Sequence, residues 1–169
     1  MNPGLGTPLP RSTALALSLM AGAVVLAVPT ALVLLRAVDG SVGSVVLGLG
    51  MALVLVVGPL LLARGLLRVR VHVGPDAVTR TLGGRVAHRI AYADVTRVRV
   101  KREPYVLTVT LWGTDPEGRE VVFPVSRSYV GDLEPLARRL DPEVEHRGAQ
   151  LFADEHERRW WQEFRAGTF

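Results

Sequence analysis

Two stretches of the chain carry no charged residue: Ser12–Leu35 and Val42–Ala63, parted by a short polar break at Arg36–Ser41. The hydrocarbon core of a bilayer needs about 20 apolar helical residues to cross it, and each run is long enough with modest tilt. A soluble domain of this size has nowhere to bury two helices that are apolar on every face. The expectation is a membrane α-helical hairpin over residues 12–64, with helices at 12–35 and 42–63. Ahead of it, Met1–Pro10 is rich in Gly and Pro and reads as a frayed tail, so residues 1–11 are expected to be flexible. The small residues of Ala27–Ala31 (AVPTA) suggest a signal-peptide cleavage site. The run is too long for a signal core, however, and continues through Leu32–Leu35.

After Arg64-Gly65 the pattern becomes an alternation by two. In Leu67–Val73 the apolar Leu67, Val69, Val71 and Val73 alternate with Arg68, Arg70 and His72, as in a half-buried strand. Gly74-Pro75-Asp76 makes a turn. Ala77–Leu82 and Arg85–Ile90 flank Gly83-Gly84, a pair suited to the positive φ angles of a tight hairpin. Tyr92-Ala93-Asp94 interrupts, Val95–Lys101 resumes, and Tyr105–Trp112 and Arg119–Val125 follow across the turn Thr114–Gly118. Six short strands at this spacing predict an antiparallel sandwich or partly closed barrel.

From residue 131 the helical period returns. Asp132 or Glu134 is placed to cap a helix with Pro135 in its first turn. Leu133, Leu136, Ala137 and Leu140 form its apolar stripe, and Asp141-Pro142 is expected to stop it. Glu143–Arg147 reads as linker, and Ala149–Arg165 as a second, amphipathic helix. Its Phe152, Trp160, Trp161 and Phe164 suit either an in-plane membrane helix or packing on the barrel. Glu155, Glu157 and Glu163 favour packing, because they dilute the positive charge of an interfacial helix.

Small residues recur every four positions in both apolar runs: Ala14, Ser18 and Gly22 in the first, Gly40, Ser44, Gly48 and Ala52 in the second. Such spacing lets helix backbones approach closely in lipid, and these seven are the candidate helix-packing residues, with intramolecular packing ahead of homo-oligomerisation. Pro29 and Pro59 are expected to bend their helices. No Asp, Glu, Lys, Arg or His interrupts either run, so the usual mark of an ion or proton path is missing.

Charge sets the orientation. Arg11 precedes the first run and Arg64, Arg68 and Arg70 follow the second, while the loop carries only Arg36 with Asp39. Arginines stay on the cytoplasmic side, so both termini and the β domain are expected in the cytoplasm and Ala37–Ser41 outside. The overall charge of +4 hides an asymmetry: Arg64–Arg102 holds ten basic residues against two acids, whereas Glu103 onward holds eight against thirteen. Arg64, Arg68 and Arg70 are the candidate membrane-surface contacts. Arg80, Arg85, Arg89, Arg97, Arg99 and Lys101 are possible extensions of that patch. Only one basic residue is Lys, so the high pI is weak grounds for nucleic-acid binding, and no nucleic-acid partner is expected.

Catalytic chemistry finds little purchase. The chain has no cysteine, which removes disulfides, thiolate nucleophiles and Cys-bound zinc. His72, His88, His146 and His156 lack metal-ligand spacing. Ser126 and Ser128 sit in a plain strand-to-helix connection with no G-x-S-x-G. The carboxylates Asp132, Glu134, Asp141 and Glu143 read as helix punctuation. No catalytic residue, metal or cofactor is expected.

Two N-terminal membrane helices, six short strands and then a helix form an order that resembles bacterial membrane proteins carrying a pleckstrin-homology-like (bacterial PH) domain. The likeness covers about Leu66–Leu140, within a β domain at 66–140 followed by linker and helix at 141–169. Its local signs are Val71–Thr79 (VHVGPDAVT) and Arg85–Val95 (RVAHRIAYADV), with an I-x-Y-x-D-V step. The resemblance implies a bent sheet of up to seven strands plugged by a C-terminal helix; six can be counted. The expected function is a non-catalytic scaffold or interaction module at the cytoplasmic face of the cell membrane, binding a protein partner or anionic lipid. The rival reading is a membrane-tethered enzyme or regulatory subunit with an unrecognised site in the β domain.

Overall fold

The computed structural model describes residues 5–38, 40, 42–103 and 106–167, with Val38 described by its backbone alone. Asp39 of the inter-helix loop, Tyr105 at the head of the fifth expected strand and Phe169 lie outside them. The chain divides into two compact units. One is Thr13–Leu67; the other joins the segment ending at Ser12 to everything from Arg68 onward.

The helical unit contains α1 (Ala14–Val38), α2 (Val42–Ala52) and α3 (Gly58–Arg68). A π-helical turn, Leu53–Val57, joins α2 to α3, and the Gly58 N–H reaches back to the Leu53 carbonyl. Pro59 accounts for that wider turn: it has no N–H to donate, and its ring crowds the carbonyl four residues earlier. Two stretches, Ala14–Ala37 and Val42–Arg68, are long and apolar enough to cross a membrane, and only 11% and 6% of their most apolar windows are buried within the chain. The second stretch runs past Ala63, so Leu67 and Arg68 are helical and the first strand after it begins at Val69.

The packing seam of α1 lies two residues from the expected stripe. Ala16, Ala23, Thr30 and Ala37 are buried, one in every seven positions, the spacing that keeps one seam facing a neighbouring helix. Ala14, Ser18 and Gly22 are exposed, as is Gly40. On the second helix Gly48 is buried, with Ser44 and Ala52 half-buried beside it. A Cβ on Gly48 would come within 2.9 Å of Leu34 Cδ2, whereas one on Gly22 would meet nothing within 4 Å.

Among its described residues the β unit holds seven antiparallel strands in two sheets. The first has the order β1 (Thr7–Pro8), β2 (Val69–Val73), β3 (Ala77–Leu82), β4 (Arg85–Ala91). A 3₁₀ turn, Tyr92–Asp94, leads to the second sheet of β5 (Val95–Glu103), β6 (Val106–Thr114) and β7 (Glu120–Ser126). Val71, Val78 and Ile90 from one sheet and Val98, Leu111, Phe123 and Val125 from the other fill the space between them. Leu136, Ala137 and Leu140 of α4 (Glu134–Arg147) join the same core.

The N-terminal segment is not a loose tail over its described residues. Thr7 pairs with Val73 and Pro8 with His72. The Leu9 N–H donates to the Val71 carbonyl (2.8 Å), and Arg11 bridges to Val130. Pro8 is tolerated because an edge strand has one side that needs no donor. Gly6, at φ +80, passes so close to Val73 and Gly74 that a Cβ would collide with their backbone. The Gly and Pro content that suggested fraying is what this close approach requires.

Pro142 does not stop α4, which continues to Arg147, so Glu143–Arg147 is helix and not linker. The loss of one N–H is offset at the helix end. Arg147 donates to the carbonyls of Val95 (2.5 Å) and Tyr92 (2.8 Å) and pairs with Glu143 at 2.9 Å. The expected single helix Ala149–Arg165 is divided into a 3₁₀ turn, Gly148–Leu151, and α5 (Glu155–Arg165), which Asp154 caps by accepting the Glu157 N–H. Phe152 and Trp161 are buried in the core.

Overpacking a filled seam costs about 1–3 kcal/mol. Gly48→Leu is therefore expected to destabilise the helical pair by that amount, while Gly22→Leu stays within about 0.5 kcal/mol of the parent. Unfolding of the pure protein in mixed micelles, followed by helical circular dichroism, measures both.

Candidate membrane-facing surface

The β unit is left by the chain at two points, each fastened by backbone hydrogen bonds. At the first, Ser12 N–H donates to the Tyr129 carbonyl (3.2 Å) and Gly131 N–H to the Pro10 carbonyl (2.7 Å). At the second, Arg68 ends α3, Val69 opens β2, and the Gly83 N–H donates to the Arg68 carbonyl (3.0 Å). Val69 pairs with Leu82 and Arg70 with Thr81. The β3–β4 turn is therefore hydrogen-bonded to the chain at this second exit.

That turn has two central residues, Gly83 and Gly84, at φ +59 and +87. Positive φ at both matches the twist of the flanking strands in a tight hairpin and strongly favours glycine. Leu82 pairs with Arg85 and Thr81 with Val86, and a register shift follows at Arg80/Thr81. Leu82 and Val86 thus lie on opposite faces of the hairpin, and they are 51% and 55% exposed. Sequence reading missed these two. The available signal was an apolar residue on each side of a Gly-Gly turn, where polar residues are the rule.

Of the expected contact residues, Arg68 ends α3 and Arg70 is the second residue of β2, both beside this turn and both exposed. Arg64 is exposed one helical turn earlier on α3. Arg85 and Arg89 are exposed on β4. Among the described residues, none of these five is ion-paired to a carboxylate. Asp76 is the single acid between Arg64 and Asp94, and it lies in the turn at the far end of β3.

The other basic residues considered for the patch are engaged elsewhere. Arg80 lies over the Phe123 ring (5.5 Å), and Lys101 pairs with Glu103 (2.7 Å). Arg97 makes a two-pronged contact with Glu157, Nη2 to Oε1 at 2.5 Å and Nε to Oε2 at 3.2 Å, while stacking over Trp112 at 4.9 Å. Arg99 Nε lies 3.2 Å from the same carboxylate. Glu157 is 4% exposed and also accepts the Ala153 N–H. Read in the sequence as a diluting surface charge, it instead locks α5 onto β5.

A groove of about 360 Å³ beside this lock is bordered by Arg97, Trp112, Thr114, Glu120 and Val122. Its Arg97 is already committed to Glu157. Among the described residues no three His, Asp or Glu side chains gather as metal ligands. Burial lowers the pKa of His72 despite a backbone contact with Gly6 that raises it. Burial also lowers that of His88, with the charges of Arg80 and Arg119 acting in the same direction. Tyr92, buried in the core, is pushed up to about 12.

No family model, curated protein or solved structure matches this chain.

Burial pushes the Glu157 carboxyl up, but the Arg97 hydrogen bond, the Ala153 N–H and the charges of Arg97 and Arg99 hold it below the ordinary glutamate value. A depressed folded-state pKa stabilises the fold above the unfolded value, near 4.5. That contribution disappears as pH falls through the folded one. Glu157→Gln is expected to cost about 1.5–3 kcal/mol at pH 7, the scale of a hydrogen bond to a charged group. It should also flatten the acid limb of stability below pH 5, both read by tryptophan fluorescence during thermal unfolding of the detergent-solubilised chain.

Proposed function

We propose that the chain is a two-span membrane protein whose β unit is a PH-like, non-catalytic interaction module held at the cytoplasmic face and docked on anionic head groups. One observation carries this reading. Both exits from the β unit, at Ser12 and at Arg68, lead into helices long and apolar enough to cross a bilayer. Arg64, Arg68, Arg70 and Arg85, exposed and without carboxylate partners among the described residues, lie on α3, β2 and β4 near the second exit.

Seven antiparallel strands in a four-plus-three arrangement, with α4 packed into their core, support the PH-like assignment. The strand uncounted in the sequence is β1, which precedes the helices. Its pairing with β2 supports an even number of crossings, since β1 and β2 must meet on one side of the membrane. Cytoplasmic placement follows from the arginines at both exits.

On this reading alkaline carbonate leaves the protein in the membrane, and reporters fused at either end are active only in the cytoplasm. Each basic residue at an anionic surface contributes about 1 kcal/mol, screened by salt. Replacing Arg64, Arg68 and Arg70 together by Ala should therefore weaken docking by roughly 3 kcal/mol. The measurement is energy transfer from the β unit to a lipid-borne acceptor in vesicles containing phosphatidylglycerol. Carbonate extraction, or transfer unchanged by the substitutions, overturns the assignment.

A further inference from the structure

The β3–β4 hairpin combines features that surface turns do not usually share. Its tip is apolar on both faces, through Leu82 and Val86, and narrow at Gly83-Gly84, where nothing lies within 4 Å of either Cβ position. Arg85 follows immediately, and Arg70 lies on the neighbouring strand. The Gly83 N–H is bonded to the carbonyl of Arg68, the last residue of α3. We propose that this tip, Leu82–Val86, inserts into the interfacial layer of the bilayer that the chain's own helices cross, with Arg68, Arg70 and Arg85 on the phosphates of anionic lipids.

The occupant follows from reach and charge. Arg64 is the first charge after the second apolar run. From Ala63 to Arg68 a helix rises roughly 7 Å, about the depth of one head-group layer. Leu82 lies about 5 Å across the ladder from Val69, so chain connectivity alone keeps the tip within reach of that layer. A protein groove would take the apolar side chains as readily. The flanking cations, with no acid between Ala77 and Ala93, select a surface of negative charge with an apolar interior directly beneath it. Gly83 and Gly84 let the tip enter without bulk, while Leu82 and Val86 supply apolar contact.

The inference rests on the reading of the β unit as bilayer-docked. The absence of cysteine allows a single label to be placed at will. The full chain carrying Leu82→Cys, Val86→Cys or, as a control in the exposed β6–β7 turn, Glu117→Cys is labelled with an environment-sensitive fluorophore. It is then reconstituted into phosphatidylcholine vesicles with and without phosphatidylglycerol. Labels at 82 and 86 are expected to emit at shorter wavelength than the label at 117. They should also be quenched several-fold more strongly by lipids spin-labelled near the head group.

Water-like emission and weak quenching at 82 and 86, equal to those at 117, overturn the insertion. Dry emission without lipid quenching places a protein on the tip, a second copy included, and equally overturns it. The two readings fail separately. Energy transfer from position 117 to a lipid acceptor that ignores phosphatidylglycerol removes bilayer docking itself. Transfer that rises with phosphatidylglycerol while 82 and 86 stay wet removes only the insertion.

Discussion

The structure depends on one closure: the chain leaves the β unit at Ser12, makes two long helices, and returns to the same unit at Arg68. Backbone hydrogen bonds fasten both ends, Leu9 to Val71 and Ser12 to Tyr129 on one side, Gly83 to Arg68 on the other. The helical segment is thus an insertion within a β fold, not an anchor placed ahead of it. Joining strands across so long an insertion costs only slowly growing loop entropy. A short β1 suffices because Leu9 also packs on the core, and it covers part of the β2 edge that would otherwise invite pairing with another chain.

Arginine use in the β unit follows a division of labour. Arg97 and Arg99 hold Glu157, Arg147 gathers the carbonyls around the Tyr92–Asp94 turn, and Arg165 ties Glu134 (2.6 Å) to Asp141 (2.7 Å). These fasten α4 and α5 where a small core alone leaves helices weakly held. Arg68, Arg70 and Arg85, exposed and without carboxylate partners among the described residues, lie instead beside the exit into α3. A net-charge count treats both groups alike and separates neither.

Much of this was legible in the residues, for physical reasons. Apolar runs without charge announce long helices whatever they pack against, and alternation by two announced β2, β5 and β7, where buried apolar residues recur at every second position. Gly83-Gly84 marked its hairpin through φ. β1 was illegible because two residues, one of them proline, carry no period. Pro142 misled because the helix beyond it is held by Arg147, a contact that exists only once β5 is in place. The small-residue stripe on α1 was misplaced because an Ala-rich helix offers several such stripes, and only the partner helix selects Ala16, Ala23 and Thr30. Glu157 looked like solvent-facing charge because its two arginines lie far away in sequence.

The pairing of β1 with β2 also imposes an order on biosynthesis. β1 leaves the ribosome first, yet its partner is made only after both helices, and the bridge from Arg11 must wait for Val130. Non-local pairings of this kind form late, after the local contacts between them. The opening segment therefore remains unpaired throughout synthesis of the helices, and the β unit seals only when they are complete. A nascent chain that stalls within the helices cannot present a finished β unit, so a completed sheet certifies that the whole insertion has been made.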